Sequence, residues 1–249
     1  MQRAATVDKS LDILEAISAS RGNGLGIREL ARRLDINSTT VHNLVWTLCA
    51  RGYLAQAEAS RRFVLGPACL SLAQGDSPWQ DLARRAGDLV RQCQAELDES
   101  IMLAARQGTE IFPVVYVPCA QALRVDEPEV MAERAYSTAV GKLLLSTLTE
   151  PELAAYLRAY PSKPFTPRTV TAPAAIRQML AAIRSQGYAE ARDELMDGIS
   201  AVAVGVETEP GSKCVTALGA SAPTIRMDAA QARKTLATLR RYADLIRGV

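Results

Sequence analysis

A chain of 249 residues, 48% of them hydrophobic and 22% charged, has room for one large buried core or two of ordinary size, and its composition excludes a disordered or fibrous protein. No apolar run reaches the roughly 18 residues a bilayer-spanning helix needs, and MQRAATVDKSLDILEAI lacks the apolar core and cleavage site of a secretory signal, which points to a cytoplasmic protein. The net charge of +2 is unevenly spread: residues 1–70 carry nine Lys/Arg against six Asp/Glu and residues 71–249 twenty against twenty-one, a small excess where a phosphate backbone would be favoured.

The first predicted element is a helix with apolar residues at Val7, Leu11, Leu14 and Ile17. It ends in SASRGNGLG, which lacks the strand and the G-x-G-x-x-G spacing of a phosphate loop and reads as an inter-helix connection. A second helix, IRELARRL, points Ile27, Leu30, Ala31 and Leu34 inward and leaves Arg28, Arg32 and Arg33 outside. Asp35 can take the left-handed backbone of a tight turn, and Asn37 can cap a third helix from Ser38 to Ala50. That helix has Val41, Leu44, Val45 and Leu48 on one stripe, with Ser38, Thr39, His42, Asn43 and Trp46 on the remaining surface. GYLAQ and RRFVLG then read as a hairpin with Arg61 and Arg62 near its tip, completing the order of a winged helix-turn-helix.

Gly, Asp, Ser and Pro mark a linker around residues 75–78, and a long helix follows with Leu82, Ala86, Leu89, Val90, Cys93 and Leu97 on one side. SIMLAARQGTEIFPVVYVPCAQALRV predicts two or three strands, with Gly108 in the first turn. Helices are expected over residues 138–148, from the capping box Thr149-Glu150-Pro151-Glu152, from Thr171 with Pro173 to Gly187, and from Asp228 onward. GISAVAVGVE and KCVTALGAS are two further strand candidates separated by TEPGS. Strands flanked by helices give an α+β domain without internal repeat.

The segments VDKSLDILEAIS, IRELARRLDINSTTVHNLVWTLCARGYL, RRFVLGPACLSL, TAVGKLLLS, GYAEARDELMDGISAVAVGV and ALGASAP resemble, in order and spacing, the IclR family of bacterial transcription regulators. The resemblance implies a multi-domain α+β protein. A winged helix-turn-helix DNA-binding domain is expected at 1–67, a linker with a helix at 68–80 and a GAF-like effector-binding domain at 81–249, assembled as a homo-dimer or dimer of dimers. Its implied partners are a double-stranded DNA operator and a small-molecule carboxylate effector.

The third helix has the dimensions to enter a major groove. Ser38, Thr39 and Thr40 can approach phosphates, His42 and Asn43 lie at base depth, and Asn43 can pair bidentately with adenine. Arg61 and Arg62 on the wing, and Arg28, Arg32 or Arg33 on the second helix, would neutralise phosphates. The family commonly has lysine at the position of Ser38 and arginine at that of Asn43, so an unusual operator is expected. In relatives that bind small oxo-acids, the ligand carboxylate meets backbone amides at the loop matching Ala139, Val140 and Gly141. Polar side chains come from positions matching Ala191, Ala201, Gly219 and Ser221. The first three of these four positions are commonly Asp, Cys and Ser; here only Ser221 retains a hydroxyl. A wider, more apolar pocket for a larger carboxylate, aromatic for preference, is expected; close packing that shuts the pocket is the alternative.

Enzyme chemistry finds no purchase. Tyr136 and Leu143 break a phosphate-loop pattern around Gly141-Lys142, no G-x-S-x-G elbow exists, and the single histidine, His42, lies on the predicted reading helix. Cysteines at 49, 69, 93, 119 and 214 form no C-x-x-C pair, so neither a metal nor another cofactor is expected. Asp193 and Glu194 are expected to be solvated or to cap a loop.

Overall fold

The computed structural model describes residues 4–20, 22–75, 77–125, 132–206 and 215–248. They form two compact units, Met1–Ser77 and Pro78–Val249.

The first unit contains α1 (Ala5–Ser18), α2 (Ile27–Leu34), α3 (Ser38–Ala50), β1 (Leu54–Gln56), β2 (Phe63–Leu65) and α4 (Pro67–Ala73). Asp35 is left-handed at φ 52°, ψ 44°, which turns the chain between α2 and α3, and Thr39 N–H donates to Asn37 Oδ1 at 2.8 Å to cap α3. β1 and β2 pair antiparallel, and Leu25 adds a bridge to Phe63, so the glycine-rich connection after α1 forms the third edge of the wing. The predicted stripe of α1 is corrected. Ile13, Ala16 and Ile17 are buried, while Val7 and Leu11 are 57% and 50% exposed. Both sets have helical spacing, and periodicity alone does not say which apolar stripe meets the unit's own core. The helix α4 falls largely within the expected linker, and its Leu70 and Leu72 are exposed.

The second unit begins with α5 (Pro78–Leu97), β3 (Ser100–Gln107) and β4 (Glu110–Val117). A 3-10 segment (Ala132–Ser137) leads into α6 (Ala139–Ser146), α7 (Glu150–Ala159) and α8 (Pro173–Gln186). β5 (Tyr188–Arg192), β6 (Ile199–Val206), β7 (Val215–Pro223) and α9 (Ala229–Arg247) complete it. The strands form one antiparallel sheet in the order β4-β3-β7-β6-β5. Residues of α5 and α9 pack with one face of the sheet; α6, α7 and α8 pack with the other. Strand β5 was not anticipated. The predicted third strand after β4 does not form among the described residues, and TEPGS lies outside them. The capping box at Thr149 is present, its amide and hydroxyl both donating to Glu152. Ala172, without a side-chain cap, occupies the start expected for Thr171.

Candidate nucleic-acid interface and effector site

On α3, Val41 and Val45 are buried and Leu44 and Leu48 half-buried, which rotates Ser38, Thr39, His42 and Asn43 to the exposed side with Thr40 at its margin. Trp46 shares that side at 47% exposure, a large apolar ring where the sequence assigned no role. Its Nε1–H donates to His42 Nε2 at 3.0 Å, and its ring meets Phe63 of β2 edge-on, 6.0 Å between centroids at 85°. His42 Nδ1 lies 3.5 Å from Asn43 Oδ1. The signal in the sequence was the i, i+4 spacing of His42 and Trp46 on one helical face.

The basic side chains separate into two kinds. Arg28 and Arg61 are exposed, Arg61 at a left-handed φ of 55° in the wing tip. Arg62 instead pairs with Glu29 of α2 at 2.7 Å and donates Nε–H to Gly24 O at 3.1 Å. The Gly26 amide, followed by Arg62, holds the Glu29 carboxyl below the usual carboxylate range. In the DNA-free chain its guanidinium thus ties the wing to α2. The pair is too exposed to add much stability, and its effect is to fix the wing's position.

In the second unit the register brings Ala191, Ala201 and Ser221 into one row across β5, β6 and β7. Directly opposed residues share a sheet face, and Ala191 and Ala201 place this row on the α6 side. Ala139, Val140 and Gly141 form the first turn of α6. Gly141 N–H is taken by Thr138 Oγ1 at 3.1 Å, so the amides of Ala139 and Val140 are the two without a protein partner among the described residues. Gly219 packs closely against Val140 of α6. A Cβ there would stand 2.4 Å from Val140 Cγ2, because the valine side chain already fills the space that a serine would use.

One buried ion pair was missed altogether. Lys142, one turn into α6, is 2% exposed; its Nζ forms an ion pair with Glu194 and donates to Glu190 O at 3.0 Å. Burial lowers the lysine's pKa from its ordinary value, and Glu194 opposes the shift. Glu194 is therefore not the solvated residue expected. Asp193 does close its loop: Oδ1 accepts from Gly198 N at 2.9 Å and from Thr224 Oγ1 at 2.6 Å, and these donors, the threonine first, lower its pKa. Thr166 and Thr169 donate to the carbonyl oxygens of Asp193 and Glu194, both at 2.6 Å. Among the described residues no group of three or more His, Cys, Asp or Glu could hold a metal, and no helix is long and apolar enough to cross a membrane.

Residues 78–247 match the family model described as the bacterial transcriptional regulator IclR C-terminal region, and residues 6–58 match the IclR helix-turn-helix domain. The HTH-type transcriptional regulator KdgR of Escherichia coli K12 is 29% identical over 97% of this chain and 91% of its own length. The HTH-type transcriptional regulator BhcR of Paracoccus denitrificans is 28% identical over 90% of this chain and 80% of its own. An IclR homolog from Microbacterium hydrocarbonoxydans, solved in complex with 4-hydroxybenzoate, shares the fold at TM-score 0.80 and 21% identity, over 98% of each chain. A helix-turn-helix unit followed by a five-stranded α+β unit, matched in that order across most of the sequence, makes this chain a member of the IclR family of transcriptional regulators, and not an enzyme.

Proposed function

We propose that this regulator acts in the cytoplasm on a DNA operator through the exposed side of α3, and that an organic acid bound in the second unit sets its operator affinity. The observation that carries the DNA reading is the polar side of α3, from Ser38 to Asn43, uncovered by its own unit and flanked by a wing tip bearing Arg61. Operators are read by pairs of such units when copies associate. Val7 and Leu11 on α1, with Leu70 and Leu72 on α4, are the apolar surface that a second copy would cover, giving a homo-dimer or a dimer of dimers. Asn43→Ala is the direct test. It should flatten the base preference at one position of the sequence enriched from a random DNA pool, by about 1–3 kcal/mol of discrimination. An unchanged profile would place the reading face elsewhere.

For the sensor, the reading is a carboxylate larger than a small oxo-acid, aromatic for preference, controlling a catabolic operon. The Ala139 and Val140 amides at the start of α6, without a partner among the described residues, favour an anion, and the Ala191–Ala201–Ser221 row offers apolar area with one hydroxyl. The 4-hydroxybenzoate complex of a family homolog supports the aromatic class. A bound effector can move the operator equilibrium only through its different affinities for the two states. In a thermal-shift panel, aromatic acids at a hundredfold excess over Kd should stabilise the protein by about 2.7 kcal/mol. Stabilisation by small oxo-acids alone would sink the assignment.

A further inference from the structure

We infer that Trp46 is a positioning residue for base readout: its indole fixes the tautomer of His42 and, through it, turns the Asn43 carboxamide so that α3 presents donors and selects guanine over adenine. The inference rests on α3 being the reading helix. An indole nitrogen can only donate, so the 3.0 Å contact requires His42 Nε2 to be the unprotonated, accepting nitrogen. In the neutral ring the proton then resides on Nδ1, the nitrogen 3.5 Å from Asn43 Oδ1. That contact is long and contributes orientation more than energy. It turns the Asn43 oxygen toward the imidazole and leaves the Nδ2 amino group outward.

Bidentate recognition of adenine needs one acceptor and one donor from the same asparagine. With the acceptor turned toward His42, the outward group is donor-only, and its complement is an edge with two acceptors, guanine N7 and O6. This proposal differs from the adenine pairing expected of Asn43 from the sequence. Trp46 can hold this arrangement because its ring also meets Phe63 of the wing, which is 2% exposed in the core of the first unit. The indole thus transmits the wing's position to the reading residues.

Because the chain has a single histidine, its two ring nitrogens can be observed without ambiguity in the full-length protein labelled with nitrogen-15 at histidine alone. The wild type should show the Nδ1–H form. Trp46→Phe keeps an aromatic ring against Phe63 and removes the donor, so the signature should revert to Nε2–H, the form free imidazole favours. In parallel selections from a random DNA pool, the wild type should enrich guanine at one position, and Trp46→Phe should lower that guanine-over-adenine preference about tenfold. An Nε2–H signature in the wild type, or the same base chosen equally by both proteins, overturns the relay while leaving the reading helix in place. If the wild type enriches no sequence, the assignment of α3 as reader has failed, and the relay's part in reading falls with it.

Discussion

Replacing Lys142 by methionine is expected to remove about 3–5 kcal/mol from the stability of the second unit, because it strands the Glu194 carboxylate in a site that no longer holds a counter-charge. Both side chains are withdrawn from water, at 2% and 13% exposure. Among the described residues Glu194 Oε2 has no hydrogen-bond partner, so the carboxylate depends on the lysine. Glu194→Leu should be comparably harmful, since it leaves a buried ammonium held only by the Glu190 carbonyl. The double variant is expected to be less damaged than either single one, because desolvating two ions offsets most of their mutual attraction.

The direction of the lysine's pKa shift agrees with that accounting. A lowered folded-state pKa means that the unfolded chain binds the proton more readily. The lysine's contribution to stability is thus greatest above its ordinary value of 10.5 and declines as pH falls through the lowered one. Urea unfolding of the three variants, followed by a probe in the second unit, decides the matter. A Lys142→Met loss under about 1 kcal/mol would show the pair to be no better than a surface bridge.

What the sequence revealed follows from the range of the interactions involved. The turn at Asp35, the Asn37 cap and the Thr149 box are each completed within a few residues, and local pattern was enough to find them. Strand β5 was hidden because its buried side chains are Ala189 and Ala191, whose small apolar signal alternates with Glu190 and Arg192. The Lys142–Glu194 pair joins residues 52 apart, and nothing near either one announces the other. The residues matching the effector positions were legible only through the resemblance. Their consequences were legible only in three dimensions, where Val140 fills the space above Gly219. On α3 the polar side could be read from spacing, but the contacts of His42 with Trp46 and Asn43 required the folded helix to be seen.

Gly141→Ala is the second large effect expected, and its sign is decided by two opposed terms. Inside a helix the exchange would ordinarily gain close to 1 kcal/mol, from reduced backbone entropy in the unfolded chain. At this position, however, the added Cβ would stand 2.3 Å from the Ala135 carbonyl oxygen and 2.4 Å from Ala135 Cα. These are backbone atoms of the 3-10 segment, which cannot rotate away as a side-chain end could. Thr138 Oγ1, the cap of α6, would be met at 2.6 Å as well. Relieving these overlaps requires the start of α6 to move, at roughly 3 kcal/mol, so overpacking outweighs propensity and the net loss should be about 2 kcal/mol. The same displacement would carry the Ala139 and Val140 amides out of position. Stabilisation by an acidic effector should therefore diminish along with intrinsic stability, while the amino-terminal unit keeps its own packing. Gly205→Ala is the matched control: the nearest atom to its new Cβ would be Leu143 Cδ2 at 4.0 Å, and a change within about 0.5 kcal/mol is expected. Should Gly141→Ala prove as stable as Gly205→Ala and respond to acids like the wild type, the close contact between α6 and Ala135 would not be what holds the start of that helix in place.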